Sequence, residues 1–217
     1  MKIAVIDADL LGRRRHRFPN LVCEKISGYY KQVVKLPPEN VVLKTDYEHL
    51  EEFDRVFIAK VFTDTPVPEW LQHVSQPKEL LIRVGRPDAG ALPVEKWLEK
   101  TVGYKINGKI PVNVGGTGFF FDRAPNLPDV IEHCMPDYHL YDNWIEEKVE
   151  QAKKKAESEG REFHRSRFLV QFKEYLEYSI GYLTRGCFRH CGFCVNQKYT
   201  RVFRHSHLTE FLDRDRK

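Results

Sequence analysis

The sequence lacks any apolar run long enough to cross a membrane, which takes about 18 residues or more. It also lacks a signal peptide, because the apolar stretch that begins at Ile3 meets Asp7 and Asp9 within a few residues. Internal repeats and low-complexity segments are absent as well, which argues against a repeat protein. These absences predict a cytoplasmic protein with no membrane partner.

Cysteine is scarce, and its distribution argues against a secreted disulfide framework. The chain has five cysteines, an odd number. Three of them, Cys187, Cys191 and Cys194, fall within eight residues. Such a cluster in a reducing compartment indicates a metal site.

A strong charge of one sign is missing too. The 217 residues include 35 Lys and Arg against 31 Asp and Glu, for a net charge of +4. That balance permits an anionic ligand but does not by itself indicate a nucleic-acid-binding protein. With 41% hydrophobic and 30% charged residues, the composition predicts a globular chain of one large domain or two modest ones.

Short apolar segments alternate with helical patterns over residues 1–141, an arrangement typical of buried parallel strands and their crossover helices. The predicted strands are 2–7, 32–36, 55–60, 79–85 and 109–114. The predicted helices are 19–30, 68–73 and 94–100. The expected fold class is α/β, with a doubly wound, Rossmann-like parallel sheet in the first domain.

The remaining chain is predicted to hold a helical connector, residues 142–177, and the start of a second domain, residues 178–217. The connector begins with a long polar helix over 142–159. An aromatic-rich stretch, 168–178, is expected to pack between the two domains. A further strand over 178–184 should lead directly into the cysteines.

The cysteines have the spacing Cys-x3-Cys-x2-Cys, in the segment 186–194. Thiolates at this spacing can surround one compact centre from a single loop, and Gly192 lets the backbone turn closely around it. A cubane cluster has four irons, so three local thiolates leave one iron open for an exchangeable ligand. An open coordination position distinguishes a catalytic centre from a structural one.

This loop resembles the signature loop of the radical S-adenosylmethionine (SAM) superfamily. The resemblance implies that Cys187, Cys191 and Cys194 hold a [4Fe-4S] cluster whose open iron binds the amino and carboxylate groups of SAM. It implies that Phe193 lies near the adenine, and that one electron from the cluster cleaves SAM to a 5′-deoxyadenosyl radical. It also implies an electron donor such as a flavodoxin or ferredoxin, a TIM-type partial barrel, and a helix at 208–212 after the loop.

Zinc is the alternative metal for the same cysteines. The site would then be Cys3His, with His190, His205 or His207 as the fourth ligand. Zinc knuckles usually combine a Cys-x2-Cys pair with a second pair elsewhere in the chain, and the spacing here differs. The cluster is therefore the favoured interpretation.

A Rossmann-like domain before such a loop resembles the cobalamin-binding-type arrangement within the superfamily. The cobalamin-ligating pattern Asp-x-His-x-x-Gly does not follow the first strand, and the nearest letters, around His139, lack the glycine. We therefore expect the fold without cobalamin. The turn 115–118 is interpreted as an ordinary turn rather than a phosphate-binding loop, since no complete dinucleotide or Walker pattern is present.

The sequence is compatible with two classes of function. The first is a radical SAM enzyme of unknown substrate, and because a barrel takes about 250 residues, the chain is expected to hold only its beginning. The second is a non-catalytic, zinc-stabilised binding protein that contacts an anionic partner through the basic loop Arg13–Arg17. That loop is otherwise interpreted as a solvated surface, and nucleic acid is not the favoured partner.

Overall fold

The computed structural model describes residues 1–13, 16, 18–74 and 92–216. Its larger sheet has five strands: β1 Ile3–Asp7, β2 Val41–Leu43, β3 Arg55–Ala59, β4 Val102–Ile106 and β5 Ile110–Gly115. They lie in the order β2-β1-β3-β5-β4. All neighbours are parallel except β4, which pairs antiparallel with β5 at one edge. The predicted α/β class with a mostly parallel sheet is confirmed.

Short helices connect the strands, and one long helix follows the sheet. The helices are α1 Ala8–Gly12, α2 Leu21–Gly28, α3 Glu69–Gln72, α4 Val94–Lys100, α5 Thr117–Phe120, α6 Asp129–Glu132, α7 Asp142–Ser158, α8 Arg165–Leu169 and α9 Lys173–Leu176. The predicted helices around 68–73, 94–100 and 142–159 are confirmed. None of the helices in the described parts of the chain has both the length and the apolar character needed to span a membrane.

The sheet is buried on both faces, as the continuous apolar run of β1 predicts. Ile3 and Val5 pack into one core, whereas Ala4 and Ile6 pack into the other, because successive side chains of a strand point to opposite faces. Helices α2, α7 and α9 contribute to the first core through the buried side chains Cys23, Ile26, Ile145 and Tyr175. Leu71 of α3 and Phe120 of α5 contribute to the second.

The predicted second strand, 32–36, is wrong. Residues Tyr29–Val33 continue α2 as a π-helical turn, in which the Val34 N–H donates to the Tyr29 carbonyl at 3.0 Å. Val33 and Val34 are 48% and 38% exposed, so these β-branched side chains do not enter the core. The second strand of the chain is instead β2, Val41–Leu43, which follows two prolines and pairs with β1.

The other strands predicted for residues 1–141 are partly confirmed. The strands predicted at 2–7, 55–60 and 109–114 are confirmed as β1, β3 and β5. The predicted strand 79–85 lies outside the described residues, as do Arg14, Arg15 and Arg17 of the basic loop. Strand β4, which the sequence did not indicate, pairs with β5 across the turn at Asn107 and Gly108, where both residues have positive φ.

Helix α7 ends where glycine permits it. Gly160 has φ +65°, and the Arg161 N–H donates to the Ala156 carbonyl at 2.9 Å. This bond satisfies one of the carbonyl groups that the end of a helix leaves unpaired. The aromatic stretch that follows packs back onto α7, with Phe172 and Trp144 rings 5.3 Å apart.

The strand predicted at 178–184 is wrong, and a short hairpin takes its place. Strand β6 comprises Thr184–Gly186 and pairs antiparallel with β7, Val202–Arg204. Ahead of it, the Ile180 N–H donates to the Tyr138 hydroxyl at 2.9 Å instead of to a neighbouring strand. The helix implied at 208–212 is only a 3-10 turn, Leu208–Glu210.

Candidate metal centre

The β6–β7 hairpin carries the cysteine loop between its two strands. Cys187 directly follows β6, and Cys194 begins a 3-10 turn, Val195–Lys198, before the chain returns through β7. Gly186, the last residue of β6, has φ +89° and lies against the Arg201 backbone. A side chain at residue 186 would place its Cβ 2.1 Å from the Arg201 carbonyl oxygen.

The substitution Gly186→Ala is expected to open this hairpin. The Cβ clash and the positive φ together should destabilise it by about 2–3 kcal/mol. Limited proteolysis should then cut the segment 187–201 faster than in the unaltered chain. Gly192→Ala is the control, because a Cβ there meets no atom within 4 Å in the described structure. Equal cleavage rates in both variants would contradict the expected role of Gly186.

The three cysteines of the loop are thiols, none in a disulfide, and each is partly exposed. Two sulfurs lie close to backbone N–H groups: Arg189 N is 3.4 Å from Cys187 Sγ, and Asn196 N is 3.4 Å from Cys194 Sγ. The Cys191 carbonyl accepts from the Cys194 N–H at 2.9 Å. Such N–H groups stabilise a thiolate and tune the metal that it binds.

The spacing of the sulfurs bears on which metal fits. In the described residues, the group of three His, Cys, Asp or Glu ligand atoms that lie within 4.8 Å of one another is Asp7, Asp9 and His16, so the three cysteine sulfurs are spread more widely. Tetrahedral zinc with Zn–S bonds of about 2.3 Å needs its sulfurs about 3.8 Å apart. A cubane carries each thiolate on a different iron and needs a wider spread. Three thiols on one loop are donors that either metal centre accepts, and their sulfurs are not all gathered within 4.8 Å as a zinc tetrahedron would gather them.

The histidines considered for zinc have other partners or settings. His205 Nε2 is 2.9 Å from Glu132 Oε1. His207 Nδ1 is 2.9 Å from a guanidinium nitrogen of Arg204. His190 lies within the loop at φ +46°. The structure thus does not gather a Cys3His group in the residues it describes.

Phe193, the candidate adenine contact, is 85% exposed. Its neighbour in the loop, Phe188, is 65% exposed. Large apolar side chains at this exposure are open to a ligand or a further chain segment.

A charged cluster under the loop was not found from the sequence. Glu132, at the end of α6, is 8% exposed and pairs with both Arg185 and His205, which belong to the hairpin region. Beside it, His133 Nδ1 lies 2.6 Å from Glu210 Oε2. These contacts join α6 and the residue after it to the hairpin region across 73 and 77 residues of sequence, and no local spacing signals them.

The electrostatics of this cluster favour an ionised carboxylate. Burial acts to raise the pKa of Glu132, but the hydrogen bond from His205 and the charge of Arg185 outweigh it, and the pKa lies below its usual value. Burial lowers the pKa of nearby Lys25, whose ammonium donates to the Cys134 carbonyl at 2.6 Å. Glu132 therefore supplies the negative charge that holds the hairpin's cations.

Asp7, Asp9 and His16 lie together at the carboxyl edge of the sheet. The carboxylate oxygens of the two aspartates already accept hydrogen bonds from neighbouring residues. Asp7 Oδ1 accepts from the N–H groups of Asp9 and Leu10, so it begins α1. Asp9 accepts from Val61 N and Phe62 N at 2.6 and 3.3 Å, and from the Thr65 hydroxyl at 2.5 Å. These bonds make the two aspartates structural anchors of the loops after β1 and β3.

His16 and Tyr141 both contact the second carboxylate oxygen of Asp7. Tyr141 donates from its hydroxyl to Asp7 Oδ2 at 3.0 Å, and His16 Nε2 lies 3.6 Å from the same oxygen. His16 Nδ1 is 2.5 Å from the Tyr175 hydroxyl. Burial raises the pKa of Asp7 despite His16 and Tyr141.

The other residues considered from the sequence have ordinary surroundings. Cys23 is fully buried in the core, and burial raises the pKa of its thiol. Cys134 is half-buried, and burial raises its pKa to about 11. His139 is exposed and pairs with Asp142 at 2.8 Å. In the turn 115–118, the Gly118 N–H donates to the Lys60 carbonyl, which is consistent with an ordinary turn.

The buried carboxyl group of Glu24 should make the stability of the fold depend on pH. It is 1% exposed, its Oε2 has no hydrogen-bond partner among the described residues, and burial raises its pKa well above the usual value. Because the folded state favours the neutral acid, this group makes stability fall as pH rises above its unfolded pKa of about 4.3. Glu24→Gln should raise the free energy of unfolding at pH 8 by about 1–2 kcal/mol and change it little at pH 4.

Denaturant unfolding at the two pH values checks this expectation. Glu39→Gln, at an exposed residue, is the matched control and should change neither value. A Glu24→Gln variant less stable than the unaltered chain at pH 8 would show that the buried carboxylate is stabilising.

Comparisons of the chain with models of protein families, with curated proteins and with solved structures found no match.

Proposed function

We propose that the chain is a radical SAM iron–sulfur protein, or part of one, with Cys187, Cys191 and Cys194 as the ligands of a [4Fe-4S] cluster. The observation that carries the proposal is the single loop that holds three thiols at the spacing Cys-x3-Cys-x2-Cys, none of them in a disulfide. The N–H groups of Arg189 and Asn196 beside two of the sulfurs support it further. We do not propose cobalamin as a cofactor of this chain.

Each part of the loop has a role in this function. The three thiolates hold the cluster and leave one iron for SAM, which the bound cluster would cleave reductively to a 5′-deoxyadenosyl radical. Phe193, exposed at the loop, offers its ring to the adenine. Glu132 acts indirectly, by holding Arg185 and therefore the start of the loop.

Three further parts of the proposal concern the surroundings of the loop. A cytoplasmic electron donor such as a flavodoxin or ferredoxin would supply the electron. The substrate is left open. The TIM-type partial barrel that the resemblance implies from residue 178 onward stays a prediction, and in the described residues this segment forms the antiparallel β6–β7 hairpin.

Metal uptake tests the proposal against the zinc alternative. The chain would be offered iron and sulfide under anaerobic conditions, and in parallel zinc, and the metal bound per chain would be measured. We expect about four irons with matching sulfide and the broad visible absorption of a cluster. Stoichiometric zinc without iron uptake would replace this function with that of a zinc-stabilised binding protein.

A further inference from the structure

A cleft of about 590 Å³ lies between the carboxyl edge of the sheet and the segment that leads into the cysteine loop. The loops after β1 and β3 form one wall, including Phe18 and Phe62. Ile180, Tyr182 and Arg185 form the opposite wall. The carboxyl ends of parallel strands are where ligands bind in open α/β sheets.

The N-terminus of α2 opens on this cleft, with Asn20, Leu21 and Val22 in its lining. Asn20 Oδ1 accepts from the Val22 N–H at 3.1 Å, which fixes the orientation of the amide. Its other end, Nδ2, is buried and has no hydrogen-bond partner among the described residues. A buried donor without an acceptor costs free energy, so a ligand acceptor here would be stabilised.

The described lining is also positively charged. Arg13, Lys25 and Arg185 are cations of the described lining, and its carboxylate, Glu132, is already paired with Arg185 and His205. Arg13 also pairs with the exposed carboxylate of Asp64 at 2.7 Å, outside the lining. Lys25 is 3% exposed, and burial lowers its pKa, so its charge has little solvent to stabilise it. The positive end of the α2 dipole adds to this field.

Exposed aromatic rings flank the cations. The Arg13 guanidinium lies 4.3 Å from the centre of the Phe62 ring, and the Arg185 guanidinium lies 4.7 Å from that of Tyr182. Phe18, Phe62 and Tyr182 are 57%, 46% and 49% exposed despite lining a cleft. Such rings offer flat apolar surfaces on which a planar ligand group can stack.

We propose that this cleft binds a small anionic ligand, with its phosphate or carboxylate group at Asn20 and the α2 N-terminus and its planar aromatic group among Phe18, Phe62 and Tyr182. The arrangement of a fixed amide donor, a helix N-terminus and flanking cations suits an anion. The inference goes beyond the proposed cluster, because none of the three cysteines lines the cleft.

Titration calorimetry with phenyl phosphate tests the proposal, with inorganic phosphate and phenol as probes for the two halves. Phenyl phosphate should bind at least about tenfold more tightly than either half. Asn20→Asp keeps the cap of α2, removes the free donor and adds a repelling charge, so it should weaken binding at least about tenfold. Asn107→Asp makes the same change in the exposed β4–β5 turn and should leave the affinity unchanged.

Several outcomes would overturn the proposal. These are no binding of phenyl phosphate at millimolar concentration, equal affinity in the Asn20→Asp variant, and displacement of the probe by SAM. If the aspartate variant does not fold, Asn20→Ser retains a capping oxygen and should weaken binding in the same direction. Binding should persist in Cys191→Ala, so a failure of the cluster and a failure of the cleft are distinguishable.

Discussion

Replacing Cys191 by alanine should abolish the cluster. The substitution leaves two thiolates on the loop, and two cannot hold a cubane against loss of iron into solution. We expect bound iron to fall to less than about a tenth of that in the unaltered chain, with loss of the visible absorption. The measurement is iron and sulfide per chain after anaerobic reconstitution and desalting.

Cys134→Ala is the matched control. Its thiol is half-buried and donates to the carbonyl groups of Lys25 and Ile131, at 3.3 and 3.1 Å. Removing it should therefore affect local packing and not the iron content. Equal iron in the Cys191→Ala variant and the unaltered chain would contradict the assignment of this ligand.

Replacing Glu132 by alanine should have the largest effect on stability. It leaves Arg185 and His205 without their shared carboxylate, at distances of 3.2 and 2.9 Å, in a largely buried setting. Breaking a buried charge pair from one side costs about 3 kcal/mol or more. We expect that loss in the free energy of unfolding at pH 7, together with faster proteolysis of the hairpin.

The pH dependence of this loss follows from the pKa of Glu132. Because the folded state lowers that pKa, the stabilisation is present above the unfolded value of about 4.3 and disappears as pH falls through the folded value. The difference between Glu132→Ala and the unaltered chain should therefore shrink in acid.

An exposed carboxylate provides the comparison for Glu132. Glu146 also pairs with an arginine, Arg165, but both side chains are more than half exposed. Since solvent screens such pairs, Glu146→Ala should change stability little. If the two alanine variants lost equal stability, the buried cluster would not be what holds the hairpin to α6.

The strands of the sheet could be predicted from the sequence where an apolar segment is also buried in the folded protein. Strand β1 is buried along its whole length, and its sequence shows this as an unbroken apolar run. The segment 32–36 has a similar composition, yet it follows α2 without a break and its valines are exposed. Short-range pattern cannot distinguish these cases, because burial depends on what the rest of the chain supplies.

Only part of the candidate site could likewise be predicted from the sequence. The three thiols could be identified from the sequence because a single loop carries them. The Glu132 cluster and the cleft could not, because each draws on segments far apart in the chain. Asn20 does have a local signal as the cap of α2, but its unpaired Nδ2 is visible only in three dimensions.

The electron paramagnetic resonance spectrum of the reconstituted, reduced chain, recorded before and after SAM is added, tests the central claim most directly. Three thiolates from Cys187, Cys191 and Cys194 leave one iron open. We therefore expect a cluster signal that changes on addition of SAM and is absent from the Cys191→Ala variant. A chain that holds zinc and gives no signal, or a signal that SAM leaves unchanged, would contradict it.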